Sequence, residues 1–124
     1  MYFAFETTLA TRSYKSKVIE AQKKGCNVTL LFFWLQNVDL AIERVKTRVQ
    51  EGGHNIETEV IKRRYINGIR NLFDIYLPIV NEAMIFDNSG GKPDLLAEKT
   101  LETDIDVINE IKFDKLKAYY NESV

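Results

Sequence analysis

The spacing of apolar residues changes several times along the chain, and each change marks a new element. Tyr2-Phe3-Ala4-Phe5 is an apolar β run that delivers Glu6, Thr7 and Thr8 at its carboxyl end. From Thr11 to Lys24 the spacing turns helical, with Val18 and Ala21 inward and Gly25 placed as a C′ residue. Val28 to Trp34 (VTLLFFW) is apolar and β-rich, as expected of a strand covered on both faces in a parallel sheet. Asn37 then suits the cap of a helix from Val38 to Gln50, whose inward positions are Leu40, Ala41, Val45 and Val49. Beyond the Gly52-Gly53 break, a long helix is expected from Glu57 to Leu77, with Pro78 marking its end or a kink. Its stripe of Ile61, Tyr65, Ile69, Leu72, Phe73 and Tyr76 reads as core packing.

Ala83 to Phe86 forms a further apolar strand and runs into the turn Asp87-Asn88-Ser89-Gly90-Gly91. Asp94 to Thr100 suggests an edge strand. Val107 to Tyr120 suggests an amphipathic helix, with Ile108, Ile111, Leu116 and Tyr119 or Tyr120 on its apolar side. The order β-α-β-α-α-β-β-α predicts an α/β layered fold: one domain over residues 1–124, with a mainly parallel sheet flanked by helices and a carboxyl-terminal helix region over 101–124.

The 124 residues carry a formal net charge of −1, with 45% hydrophobic and 28% charged residues, which is ordinary for a globular domain. That balance argues against a general nucleic-acid or membrane-surface binder, although residues 41–70 are locally basic and the tail from Leu101 is acidic. The longest apolar run, Val28 to Leu35, is too short to span a bilayer, and no signal-type segment precedes it, so cytoplasmic residence is the expectation. Cys26 is the single cysteine, which excludes an internal disulfide and suits a small apolar filler beside a turn.

The chemically suggestive stretch is AIERVKTRVQEGGHNIETEVIKRR, from Ala41 to Arg64. Helical spacing puts Arg44 and Arg48 on one face, where two guanidinium forks can converge on one phosphate. The alternative is a solvated surface in which Glu43, Glu51, Glu57 and Glu59 supply the counter-charge. His54, the only histidine, sits in the glycine hinge with no second ligand at metal-binding spacing, so no metal site is expected. That hinge fits either a loop closing over a ligand or a plain helix connection. Ligands of open parallel sheets bind at strand carboxyl ends, which here carry Glu6-Thr7-Thr8, Gln36-Asn37 and Asp87-Asn88-Ser89. No G-x-x-x-x-G-K-[ST], nucleophile elbow or G-x-G-x-x-G occurs.

At FAFETTLATRSY, LLFFWLQNVDLAIERVKTRV, the GGHNI hinge, IKRRY and IFDNSGG, in that order over about residues 3–98, the chain resembles the zeta toxin-like P-loop kinases of the short bacterial type. The resemblance implies a three-layer Rossmann-like core and an ATP- and Mg²⁺-dependent phosphotransferase; the zeta toxins proper phosphorylate UDP-N-acetylglucosamine. It implies that Glu6, with Thr7 and Thr8, holds the substrate sugar, and that the lid spans about residues 44–64. Arg44 would contact the nucleotide phosphates as a catalytic lid residue. Arg48, His54, Arg63 and Arg64 are candidates for the second lid contact. Asp87, Asn88 and Ser89 would border the adenine.

The family's first strand, Walker A loop, first helix and aspartate-bearing strand would precede Tyr2, so the chain corresponds to the carboxyl-terminal part of such a kinase. It is therefore expected to be inactive alone and to bind ATP and Mg²⁺ without tightness. The expected partners are nucleotide and sugar-nucleotide ligands, together with a second copy of the chain or an amino-terminal half. A non-catalytic assembly module is the alternative, since an uncovered apolar strand edge invites pairing. Nucleic acid is not an expected partner, because no aromatic and basic interleaving of the stacking type accompanies the arginines.

Overall fold

The computed structural model describes residues 2–6, 9, 12–50, 52 and 57–123. In chain order these form β1 (Tyr2–Glu6), α1 (Tyr14–Lys23), β2 (Asn27–Trp34), α2 (Val38–Gln50) and α3 (Thr58–Asn71). A π-helical segment, Leu72–Tyr76, and the single turn α4 (Leu77–Ile79) continue α3; then come β3 (Glu82–Asp87), β4 (Asp94–Lys99), β5 (Asp106–Val107) and α5 (Glu110–Ser123). The fold is α/β. Its strands lie in one sheet in the order β1-β2-β3-β4-β5.

The expected mainly parallel sheet is instead mixed. β1 pairs parallel with β2 and β2 with β3, each across a helical crossover, whereas β3–β4 and β4–β5 are antiparallel. The connection from Asp87 to Asp94 is too short for a crossover, so β4 must turn back on β3. β4 is also not the edge it was expected to be, because Val107 and Asp106 pair with Ala97 and Glu98. Val107 therefore belongs to a strand, and Asn109 starts the last helix: its Oδ1 accepts a hydrogen bond from Lys112 N at 3.1 Å. Moving the start shifts the apolar stripe. Phe113 and Leu116 are buried, while Ile108 and Ile111, expected inward, are 51% and 75% exposed.

Burial alternates strictly along β2, with Val28, Leu30, Phe32 and Trp34 buried. These join Ala83 and Ile85 of β3, Val18 of α1, Ile69 and Leu72 from the long helix, and Phe113 and Leu116 of α5 in one core. Each such side chain contributes on the order of 2 kcal/mol by leaving water. The intervening positions, Leu31, Phe33, Met84 and Phe86, are only half-buried, so the covering of both faces expected for Val28 to Trp34 is not found among the described residues. On that second face Phe33 stacks on its register partner Phe86, with centroids 5.1 Å apart, and the two rings partly shield each other. None of α2's residues is fully buried; it packs against α3 as an outlying helix.

Pro78 acts as a disturbance within the long helix rather than at its first end. Its ring would collide with the carbonyl four residues back, and the wider π turn falls immediately before it. Lys99 Nζ then closes the helix by donating to the carbonyls of Leu77 and Val80, both at 2.8 Å. At the amino end of the sheet Asn81 Oδ1 accepts from Val28 N at 2.8 Å and from Gln22 Nε2 at 3.1 Å, tying α1, β2 and β3 together.

Candidate functional site

β2 and β3 end side by side, with Trp34 paired to Asp87, and a closed polar network follows them. The Asp87 carboxylate, 3% exposed, accepts hydrogen bonds from Gln36 Nε2 at 2.7 Å and Ser89 N at 2.9 Å, and pairs with Lys112 Nζ at 3.1 Å. Burial alone would push this carboxyl up, but the hydrogen bonds from Ser89, Gln36 and Lys112 outweigh it and hold the group at about 2. Lys112, raised by its bonds to Asp94 and Asp87, also bridges to Asp94 at 2.8 Å. Ser89 Oγ in turn accepts from Gln36 N at 2.9 Å. The turn after β3 is thereby locked to the turn after β2 and to α5.

A second chain of bonds fixes the aromatic side of this end. Trp34 Nε1 donates to Tyr65 Oη at 3.1 Å, Tyr65 Oη donates to Leu35 O at 2.6 Å, and Tyr119 Oη donates to Gln36 O at 3.0 Å. Burial, followed by neighbouring Tyr119, pushes the Tyr65 hydroxyl above its ordinary value, so it stays protonated and keeps donating.

Beside this network lies a cavity of about 480 Å³ between the end of β2, α2 and α3. Phe32, Trp34, Val45, Ile61 and Ile69 make its wall apolar, and Arg44, Arg48, Arg64 and Asn88 add the polar groups. Asn37 Oδ1 caps α2 at Leu40 N (3.0 Å), and the helical register then turns Arg44 and Arg48 to the same side. Arg44 is anchored, because its Nη2 donates to Asn88 O at 2.7 Å across the mouth. Among the described residues, Arg48 and Arg64 have no hydrogen-bond or ion-pair partner, and no acidic residue lines the cavity. Among the described residues, the counter-charge expected from Glu43, Glu57 and Glu59 does not reach them, and Glu59 pairs with Lys62 at 3.8 Å.

The sequence-based candidates thus separate. Arg44, Arg48, Arg64 and Asn88 meet at the cavity; Arg63 is exposed on α3 and does not line it. The side-chain groups of Asp87 and Ser89 are taken up within the fold. Glu6 ends β1 in register with Leu31, while Thr7, Thr8, His54 and Glu51 lie outside the described residues. Tyr65, assigned from its spacing to core packing, also lines the cavity and accepts from Trp34. The signal for it was the indole N–H of a buried Trp34, which needs an acceptor. Lys112 had no comparable signal, since its partners come from β3 and β4.

Fold and site together define an α/β domain with an arginine-lined, apolar-walled cavity at a strand's carboxyl end. The chain is similar to an uncharacterized protein of Haemophilus influenzae, with 33% identity over 63 residues, covering 51% of this chain and 45% of that protein. The matched stretch spans less than half of that relative's length. No protein-family model matches the chain, and no solved structure matches it. Among the described residues, no helix is long and apolar enough to cross a membrane, and no group of three or more His, Cys, Asp or Glu side chains is placed to hold a metal.

Proposed function

We propose that the chain is a binding module for phosphorylated small molecules, of the nucleotide or sugar-nucleotide class, taken up in the cavity between α2 and α3. The observation that carries this reading is the pair of guanidinium groups, Arg48 and Arg64, without a partner among the described residues and set with anchored Arg44 around an apolar wall to which no described residue adds an acid. Guanidinium forks match phosphate oxygens, and an apolar wall suits the flat ring or sugar face of the same ligand. Together with the resemblance to zeta toxin-like kinases, this reads as the lid and acceptor side of an ATP- and Mg²⁺-dependent, Rossmann-like phosphotransferase acting on a UDP-amino sugar. Arg44 and Arg48 would there neutralise charge on the transferring group. The sequence has no Walker A run, so the 124 residues alone are expected to turn over ATP far below ordinary kinase rates.

Trp34 is the only tryptophan and lines the cavity, so its fluorescence reports occupancy. Titration with ATP and with UDP-N-acetylglucosamine is expected to change that fluorescence saturably, with Arg48→Gln and Arg64→Gln each weakening the tighter ligand about tenfold. Unchanged fluorescence with both ligands, or full affinity in both variants, would sink the reading.

A second reading, an assembly module, draws on the half-buried apolar face of Leu31, Phe33, Met84 and Phe86 and on β1, whose described pairing is with β2 alone. Sedimentation showing a monomer at every concentration would count against it.

A further inference from the structure

A second, smaller opening of about 160 Å³ lies between Arg12, just ahead of α1, and Asn67, Arg70 and Asn71 of α3, with Asp74 of the π segment at its side. Helical spacing puts these residues on a different face of α3 from Ile61, Tyr65 and Ile69, which line the larger cavity. The lining is polar and its charges do not cancel: two guanidinium groups face one carboxylate. Asp74, four residues beyond Arg70, is the natural helix-surface partner for it. It is turned elsewhere, accepting a hydrogen bond from Tyr120 Oη of α5, and no ion pair joins it to Arg70. Among the described residues, Arg12 also makes no ion pair, and Arg70 is half-buried without one.

The pocket has a fixed floor. Asn71, 8% exposed, donates through Nδ2 to Leu9 O at 2.7 Å. Leu9 is fully buried with φ +57°, a left-handed conformation that a branched-chain residue adopts only when its surroundings hold it there. Leu9 is thereby pinned against α3, and Arg12 stands at the rim of the pocket.

We propose that this pocket binds a phosphate-class oxyanion, with the Arg12 and Arg70 forks and the Asn67 amide as donors. A half-buried guanidinium without a counter-ion is stabilised by any anion that enters, and two forks flanking one space match the several oxygens of a tetrahedral oxyanion. The volume, one third of the larger cavity, suits the oxyanion rather than a whole nucleotide. The site is independent of the cavity between α2 and α3, and its test reads other residues.

The experiment is a titration of the isotope-labelled full chain with inorganic phosphate and, separately, with glycerol 3-phosphate, at constant ionic strength set by chloride. The guanidinium Nε–H signals of Arg12, Arg70, Arg48 and Arg64 are followed. Arg12 and Arg70 are expected to shift saturably together. Arg70→Gln should weaken the affinity read at Arg12 about tenfold while leaving any affinity read at Arg64 unchanged. Asp74→Asn, which removes the local negative charge, should tighten it about threefold. Arg70→Lys, which keeps the charge without the fork, gives an intermediate loss and guards against a folding artefact in the Gln variant. Tighter binding of glycerol 3-phosphate than of phosphate supports a phosphorylated small molecule as the ligand; equal binding supports the oxyanion alone. No response at Arg12 and Arg70 with tens of millimolar phosphate, a response no larger than chloride produces, or unaltered affinity in Arg70→Gln overturns the proposal.

Discussion

Two neighbouring regions at the carboxyl end of the sheet use polar residues in opposite ways. Around Asp87 every donor finds an acceptor: Gln36, Ser89 and Lys112 converge on one buried carboxylate, and Trp34, Tyr65 and Tyr119 close on backbone and side-chain oxygens. Across the cavity, Arg48 and Arg64 stand against apolar walls with no partner among the described residues. Buried polar groups that are fully paired specify a structure; on the proposed function, the exposed Arg48 and Arg64 are instead set for a ligand. Arg44 joins the two, since it belongs to the cavity yet hydrogen-bonds the carbonyl of Asn88 in the turn that Asp87 organises.

That contrast breaks most visibly at Asp87. Asp87→Asn removes the buried charge that holds Lys112 and is expected to cost about 3 kcal/mol in denaturant unfolding at neutral pH. The acid limb carries the same signature. The folded carboxyl sits at about 2, below its unfolded value of about 3.9, so its contribution of about 2 kcal/mol is present above pH ~4 and lost as pH falls towards 2. Unfolding free energies measured across that range should converge for wild type and Asp87→Asn; curves that stay parallel would show that Asp87 is not the titrating group.

A smaller effect is expected at Tyr65. Tyr65→Phe leaves the Trp34 N–H and the Leu35 carbonyl without their partner, for a loss of about 1–2 kcal/mol and a shift in Trp34 fluorescence. A variant as stable as wild type would mean that water or a backbone adjustment replaces the hydroxyl. The smallest effect belongs to the arginines that weaken ligand binding when replaced: Arg48→Gln and Arg64→Gln should alter stability by no more than about 0.5 kcal/mol. A large loss would move them from the binding side of the comparison to the structural side.

Much of this architecture is legible in the chain. β2 is announced by VTLLFFW, α2 by Asn37 and the spacing of Leu40, Ala41 and Val45, and the turn after β3 by Asp87-Asn88-Ser89-Gly90. The grouping of Arg44 with Arg48 follows from helical spacing alone. Three features are not legible. Val107 reads equally well as the first turn of a helix, and only its pairing with Ala97 makes it strand. The apolar run of β2 does not say how many faces are covered, because a buried strand and a strand shielded by a Phe33–Phe86 stack look alike in sequence. Asp87 reads as a turn residue open to a ligand, and its occupation by Lys112 depends on a helix that begins more than twenty residues later.

The division has a physical cause. Helix spacing, caps and turn preferences act over a few residues, so the chain itself specifies its elements and the one-sided clustering of Arg44 and Arg48. Partnership between distant polar groups is a matter of tertiary proximity. Packing alone decided that Lys112 would reach Asp87, that Asp74 would receive Tyr120 rather than pair with Arg70, and that Arg48 and Arg64 would line a cavity with no carboxylate among the described residues.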